Sequence, residues 1–407
     1  MKLLFVHEVN WREKVVYEIH DFPEVLSLRG HEVVFIDFPE GGKLKGLRRF
    51  IDFKTETAHD LSCAHSGAKV ELRTPGRVLP PPLDRLTSSV TQVPALWKAL
   101  SSEKFDAVVL YSVPTNGWQT VLISRHFNVP VLFRSIDISH KLRKTLFAPL
   151  IRIAEGFIYK RVDALSTHNE PLRFYCIKHG VNESRTSIEY PGLDIKRFSP
   201  GKRDPDLCHR YGIESHHKVI LFMGTFYRFA GVDWLLEASV PMLKRIPESR
   251  LMLIGGGEAE SSLKDLAERF GVEDSVIFTG FVNYDELPAH LRLADVAVNS
   301  FRKLLVTDCA LPGKVMQYLG CGLPTISTPL KGLRSMLKDE EDGILYRNLD
   351  STFIEAVEGL LSDDLRRQKV AQAARSTMER LCRWEVCIQK FEKTIQRMVD
   401  KKKQEVL

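Results

Sequence analysis

Short β-branched runs alternate along the chain with longer stretches in which apolar residues recur at helical spacing. In the first half, Lys2–Val6, Glu32–Ile36, Ala107–Tyr111, Pro130–Phe133 and Asp163–Ser166 have the near-continuous apolar character of strands buried on both faces of a parallel sheet. Between Glu13 and Leu28 the residues Val15, Val16, Ile19, Phe22, Val25 and Leu26 follow a helical period, and Arg29-Gly30-His31 closes that helix before the next strand. The opening is therefore a βαβ unit. The same grammar restarts with strands expected at Lys218–Phe222, Arg250–Ile254, Ser275–Phe278, Asp295–Val298 and Pro324–Ser327, separated by helices such as Val232–Leu243 and Ser261–Phe270. Beyond Asp350 the pattern is helical, ending in Trp384–Met398 and a charged tail. The fold class expected is α/β, with two doubly wound, Rossmann-like domains.

Turn formers cluster at Pro191-Gly192, Ser199-Pro200-Gly201 and Asp204-Pro205, which places the division between domains there. The expected layout is a first domain over 1–198, a second over 199–380 and a C-terminal helix within 381–407, for which packing back on the first domain is one option. Gly41-Gly42, the basic segment Lys43–Lys54 and Pro80-Pro81-Pro82 break the rhythm of the first domain, so an irregular insertion is expected between its second and later strands.

Composition changes this picture mainly by exclusion. With 58 Lys and Arg against 52 Asp and Glu in 407 residues, the net charge of +6 is too small to argue for nucleic acid, although it suits an anionic substrate or an acidic membrane surface. No apolar run approaches the roughly 20 residues that span a bilayer, and the start of the chain lacks the layout of a signal peptide. The seven cysteines are scattered without C-x-x-C pairs, and a reducing cytosol is the simplest setting for them. No metal site is expected: Asp204-Pro205-Asp206 reads as a helix N-cap, and His7-Glu8 lacks the second histidine of a zinc-hydrolase helix.

In doubly wound folds ligands sit beyond the carboxyl ends of the strands, so the loops there carry the candidate chemistry. Met223-Gly224-Thr225-Phe226-Tyr227-Arg228 runs toward a helix opened by Gly231, where backbone N–H groups and Arg228 can face a phosphate; the alternative is a plain turn with a solvated Arg. Gly255-Gly256-Gly257 permits a close backbone approach, or is simply a flexible turn. Thr279-Gly280-Phe281-Val282 could stack on or hydrogen-bond a base, with core packing as the competitor. The fourth segment, Asp308 to Ile326, sets out a loop, a helix starting near Pro312-Gly313, a glycine stop and a proline-led strand. Lys314 and Gln317, three apart, share a face at the positive end of that helix, a natural place for a diphosphate and the sugar beside it.

Taken together, these residues resemble a GT-B glycosyltransferase and are most similar to glycosyltransferase family 4. The resemblance runs through Arg29-Gly30-His31-Glu32-Val33, Tyr190-Pro191-Gly192-Leu193-Asp194, Leu253–Glu258 and Thr279–Val282, and is most specific over Lys314–Pro324. It implies a metal-independent, retaining transferase without a cofactor. A nucleotide-diphosphate sugar would be held by the second domain, and a glycan, lipid-linked or small-molecule acceptor by the first. In that family an acidic pair holds the donor, the later Glu on the ribose and the earlier one on the sugar; here Gln317 and Cys309 occupy those positions, with Asp308 adjacent as a substitute. A Lys usual before Gly231 is replaced by Ala230, so Arg228 and Lys314 are the cations expected on the diphosphate. The implied catalytic set is Asp137, Arg228 and Lys314, with His140 in reserve for Asp137. The implied binding set is Gly224, Thr225, Gly257, Phe281, Val282, Asp308, Pro312, Gly313 and Gln317. Asp137 and His140 read equally well as a helix cap and an exposed ring.

Two rival functions stay open: a non-catalytic GT-B protein that binds a sugar nucleotide or glycan, and a sugar-nucleotide epimerase. Lys43–Lys54 and Lys141–Phe147 mix cations with Leu, Phe and Ile, which suits peripheral binding at the inner face of a membrane; in the alternative, the Leu and Phe of the second segment pack into the core.

Overall fold

The computed structural model describes residues 1–38, 55–76, 84–142 and 145–406. Gly41-Gly42, Lys43–Lys54, Pro80-Pro81-Pro82, Arg143 and Lys144 lie outside the described residues. The chain forms two compact units, Met1–Gly192 with Trp384–Leu407, and Leu193–Arg383.

The first unit is built on an eight-stranded sheet. Its strands are β1 (Lys2–Val6), β2 (Glu32–Ile36), β3 (Glu56–Leu61), β4 (Val70–Thr74), β5 (Ala107–Leu110), β6 (Val131–Ser135), β7 (Ala164–Thr167) and β8 (Thr186–Ile188), in the order β3-β4-β2-β1-β5-β6-β7-β8. All pairings are parallel except β3 with β4. The segment expected to be an irregular insertion therefore contains a hairpin. Its outer strand, Glu-Thr-Ala-His-Asp-Leu, is polar on both faces because it lies at the sheet edge, and so carries no period for a sequence reading to find. The first helix also starts later than expected, at Glu18, because Asn10 Oδ1 accepts hydrogen bonds from the backbone N–H groups of Arg12 and Glu13 and turns the chain there.

Phe5, Val33, Phe35 and Leu132 of the sheet pack with Phe22 and Leu26 of the first helix. The C-terminal helix Trp384–Val406 belongs to this unit: Phe391 packs at a tilt against Phe22 with 4.4 Å between ring centroids, and Ile388 and Ile395 enter the same core.

The second unit has six parallel strands, β9 (Lys218–Met223), β10 (Ser249–Ile254), β11 (Val276–Gly280), β12 (Val296–Asn299), β13 (Thr325–Ser327) and β14 (Ile344–Tyr346), in the order β11-β10-β9-β12-β13-β14. Numbered within the unit this is 3-2-1-4-5-6, and the order reverses between β9 and β12, where such folds open a crevice at the carboxyl ends of the strands. Asp204 caps the helix Pro205–Arg210, accepting from the N–H groups of Asp206 and Leu207 at 3.0 Å. Three helices, Ser351–Ser362, Asp364–Leu381 and Trp384–Val406, follow Asp350.

Candidate functional site

The switch between β9 and β12 is where the second unit gathers its candidate chemistry. The loop after β9 is knitted to its neighbours by backbone hydrogen bonds: Gly224 N–H to Ile254 O, Phe226 N–H to Gly256 O and Gly255 N–H to Gly280 O, each 2.9 Å. Gly255 has φ +118°, and a Cβ there would stand 2.2 Å from Gly224 O, so a side chain cannot be accommodated without displacing this loop. At the far end of the loop, Ser300 Oγ donates to Ala230 O (2.8 Å) and Arg302 Nη2 pairs with Asp233 (2.7 Å).

The helix Gly313–Gly320 is anchored to the same strand end through its buried face. Tyr318, fully buried, accepts a hydrogen bond from Met223 N–H at 2.7 Å, satisfying the backbone group at which β9 ends. Burial pushes the Tyr318 phenol well above its usual range, so it stays neutral. This residue had not been singled out in the sequence; only its place four positions after Lys314, on the apolar side of the helix, hinted at an anchoring part.

Fixing Tyr318 fixes Lys314 one turn earlier. The Lys314 ammonium sits 3.8 Å from the ring centroid of Phe222 and 4.2 Å from that of Phe301, and 3.8 Å from where a Gly224 Cβ would stand. Among the described residues it makes no ion pair or hydrogen bond. Burial pushes its pKa well below the ordinary lysine value, with no carboxylate opposing the shift. Lys314 is half-buried by surface area, and a cation held among the described residues only by two aromatic faces is an arrangement waiting for an anion.

Around it lies a cavity of about 250 Å³ lined by Gly224, Thr225, Tyr227, Phe229, Phe301, Pro312, Gly313 and Lys314. Five of the residues singled out in the sequence, Gly224, Thr225, Pro312, Gly313 and Lys314, therefore come together. The aromatic wall of Tyr227, Phe229 and Phe301 had no sequence signal: Tyr227 and Phe229 stack at 5.3 Å, and Phe301 meets Phe229 edge-on at 5.4 Å.

The remaining expected residues are placed differently. Arg228 is exposed on the turn Arg228–Ala230, and its carbonyl accepts from Arg302 Nε at 3.2 Å. Gln317 is half-buried on the helix, and its side-chain amide makes no hydrogen bond among the described residues. Gly257 packs toward Thr225 and Phe226 rather than lining the cavity, and Phe281, 68% exposed, lies against Gly256, with Val282 beside it half-buried. Asp308 is buried, its carboxylate accepting from Lys331 N–H at 2.9 Å and facing the Lys331 ammonium at 3.3 Å. The acid expected near the sugar is thus already engaged.

In the first unit, Asp137 follows β6. Burial and the carboxylates of Glu8 and Glu155 push its pKa up to about 7, against a hydrogen bond from Ser139. His140 is buried rather than an exposed ring, with Nδ1 2.5 Å from Glu155 Oε2. Among the described residues no group of three or more His, Cys, Asp or Glu is arranged to hold a metal ion, no helix is long and apolar enough to cross a membrane, and none of the seven cysteines is in a disulfide.

Residues 217–363 match the family model described as "Glycosyl transferases group 1", and residues 24–192 match the "Glycosyl transferase 4-like domain". A D-inositol 3-phosphate glycosyltransferase of Corynebacterium aurimucosum is 32% identical over 235 residues, 55% of this chain and 54% of that protein. A GDP-mannose-dependent alpha-(1-6)-phosphatidylinositol monomannoside mannosyltransferase of Mycolicibacterium smegmatis is 30% identical over 193 residues, 46% of this chain and 49% of that one. The chain spans about half the length of these curated relatives. Among solved structures, sucrose-phosphate synthase from Thermosynechococcus elongatus superposes with a TM-score of 0.77 at 16% identity, covering 98% of this chain and 99% of that one. Anabaena HepE in complex with UDP and glucose does so with a TM-score of 0.74 at 16% identity, covering 97% and 99%. At such identities the likeness is one of fold, the GT-B fold.

Proposed function

We propose that this chain, which belongs to the group 1 glycosyltransferases, transfers a sugar from a nucleotide-diphosphate sugar to an acceptor hydroxyl with retention of anomeric configuration. The observation that carries the reading is the Lys314 ammonium, half-buried against Phe222 and Phe301 and without a carboxylate partner among the described residues, at the start of a helix on the switch point of the second sheet. As the anomeric C–O bond breaks, charge flows onto the diphosphate, and the positive charge that Lys314 carries once the diphosphate is bound stabilises the leaving group. In this reading Lys314 and the N–H groups at the start of Gly313–Gly320 take the diphosphate, Arg228 adds charge from the exposed turn, and Gln317 takes the ribose through its amide. The solved complex of HepE with UDP makes uridine diphosphate the first nucleotide to test. A glycan or lipid-linked acceptor is assigned to the first unit, and the phosphatidylinositol-mannoside relative makes a lipid-linked one the first to try.

Incubating the full chain with a panel of nucleotide sugars and candidate acceptors, and following release of nucleoside diphosphate, tests the reading directly. Acceptor-dependent release supports it. Tight nucleotide binding without any release favours the second reading, a non-catalytic sugar-nucleotide binder, which the Gln317 and Ala230 positions motivate. Gln317→Ala is expected to raise the donor KM by roughly tenfold with kcat little changed, the signature of lost uniform binding, whereas Gln317→Glu keeps an acceptor for the ribose and stays near wild type. Equal KM values in all three proteins would remove this helix face from the nucleotide.

Asp137 is assigned a catalytic part in the first unit. With its pKa near 7, a role that needs the carboxylate predicts kcat/KM rising with pH and levelling above about 7, and Asp137→Asn losing both that limb and about 10²- to 10⁴-fold in rate. The linkage sign is the reverse for stability. Between the usual aspartate pKa and about 7 the folded chain binds the extra proton, so this group's contribution to stability declines as pH rises through that window. A flat rate profile shared by wild type and Asp137→Asn would discard the assignment.

A further inference from the structure

The helix Ala148–Tyr159 is far more apolar on its outward side than a surface helix of an ordinary domain. Leu150, Ile153 and Phe157 fall at i, i+3 and i+7, one stripe along the helix, and Leu146 lies in the turn just before it. Of these, Leu146 is 97% exposed, Leu150 62% and Ile153 68%. Phe147 beside the stripe is also exposed, and the Arg161 guanidinium lies 3.9 Å over the half-buried Phe157 ring. The inward side carries Ile158, Tyr159 and Glu155, the last holding His140. The neighbouring helix Gly117–His126 packs against this one, since a Cβ on Gly117 would stand 2.8 Å from Ile158 Cδ1, and it exposes Trp118 and Leu122.

The charges on these two helices are one-sided. Arg125, Arg152, Lys160 and Arg161 are all exposed, and the sole carboxylate in Gly117–His126 or in Ala148–Arg161 is Glu155, which is buried. A second copy of this chain would have to bring the same cations against themselves across a two-fold interface, which is unfavourable. An anionic surface with an apolar layer beneath it satisfies both features at once: leucines, isoleucine and aromatics enter the headgroup boundary while the cations stay at its surface. No helix among the described residues is long and apolar enough to cross a membrane.

We propose that the face formed by Gly117–His126 and Ala148–Tyr159 docks the first unit on an anionic lipid bilayer. The proposal goes beyond the transferase reading and does not depend on it, because it concerns partition rather than turnover. It also decides between the two readings of the sequence around Leu146 and Phe147, which do not pack into the core.

The experiment is flotation of the full chain, without donor or acceptor, on vesicles of pure phosphatidylcholine and on vesicles containing about one-third phosphatidylglycerol, at low and high salt. Wild type is expected to float with the anionic vesicles at low salt and to be released by salt, each cation adding roughly fivefold to the partition coefficient. The double variant Leu150→Glu/Ile153→Glu should lose at least tenfold in partition, and Arg152→Glu/Lys160→Glu should lose the salt-sensitive part. Both variants should keep the wild-type circular dichroism and thermal transition, since all four positions are exposed. Absence of wild-type flotation on anionic vesicles, or equal flotation of wild type and the Leu150/Ile153 variant, overturns the proposal. So does a salt-resistant dimer of the wild type that the same variant abolishes, which would make a second copy the occupant.

Discussion

Replacing Lys314 by Ala is expected to lower turnover by about 10²- to 10³-fold, the cost of removing one preorganised positive group from a developing anion. The effect should fall on kcat as well as on KM, because the charge on the diphosphate grows as the sugar leaves. The same residue predicts a proton linkage. In the free chain burial depresses the Lys314 pKa with nothing to offset it, so above that lowered pKa the amine is neutral, and binding a diphosphate draws a proton onto it. Nucleoside-diphosphate affinity should therefore weaken as pH rises, and calorimetry in two buffers of different ionisation enthalpy should register proton uptake that Lys314→Met abolishes. The stability of the free chain runs the other way. Between the depressed pKa and the ordinary lysine value the unfolded chain binds more protons than the folded one, so this group's contribution grows with pH across that window. Near-normal kinetics in Lys314→Ala, with no change in proton uptake, would remove the residue from the site and with it the main support for the donor reading.

The second sheet was readable because its strands are buried on both faces: Val219–Phe222 and Leu251–Ile254 are apolar without interruption, and each stops at a glycine-bearing loop. Lys314 could be placed because Pro312-Gly313 before it and Gly320–Pro324 after it fix a short helix between a loop and a strand, which is punctuation the chain carries locally. The hairpin β3–β4 escaped because an edge strand solvated on both sides has no alternation to detect. Phe301 and Phe229 escaped for a different reason. Neither sits in a motif, and only the reversal of strand order between β9 and β12 brings Phe301 to the same cavity as Gly224. Asp308 was offered as a substitute one residue from a family position; in the structure its carboxylate faces Lys331, a contact that a count along the chain cannot reveal.

Arg134 belongs with these residues that only packing explains, and it carries the largest expected effect on stability. It is fully buried on β6. Its Nε and Nη2 donate to the two oxygens of Glu18 at 2.8 and 2.9 Å, and Nη1 donates to Ser166 Oγ at 2.8 Å. The guanidinium lies 5.3 Å from the Phe22 ring and 6.0 Å from that of Phe391. Burial works against its charge, and Glu18 more than compensates, so the pair stays ionised. Arg134→Met would leave the Glu18 carboxylate buried without its partner, at a cost of about 3–5 kcal/mol. The double variant Arg134→Met/Glu18→Leu removes both charges and should recover to within about 1 kcal/mol of wild type, because a buried pair is worth little more than the apolar groups that could replace it. Urea titrations of the full chain, followed by the fluorescence of its tryptophans, four of which lie in the first unit, would measure both. A loss under about 1 kcal/mol in the single variant, or a double variant no better than the single, would mean that water reaches this pair and that β6 is held by its apolar neighbours alone.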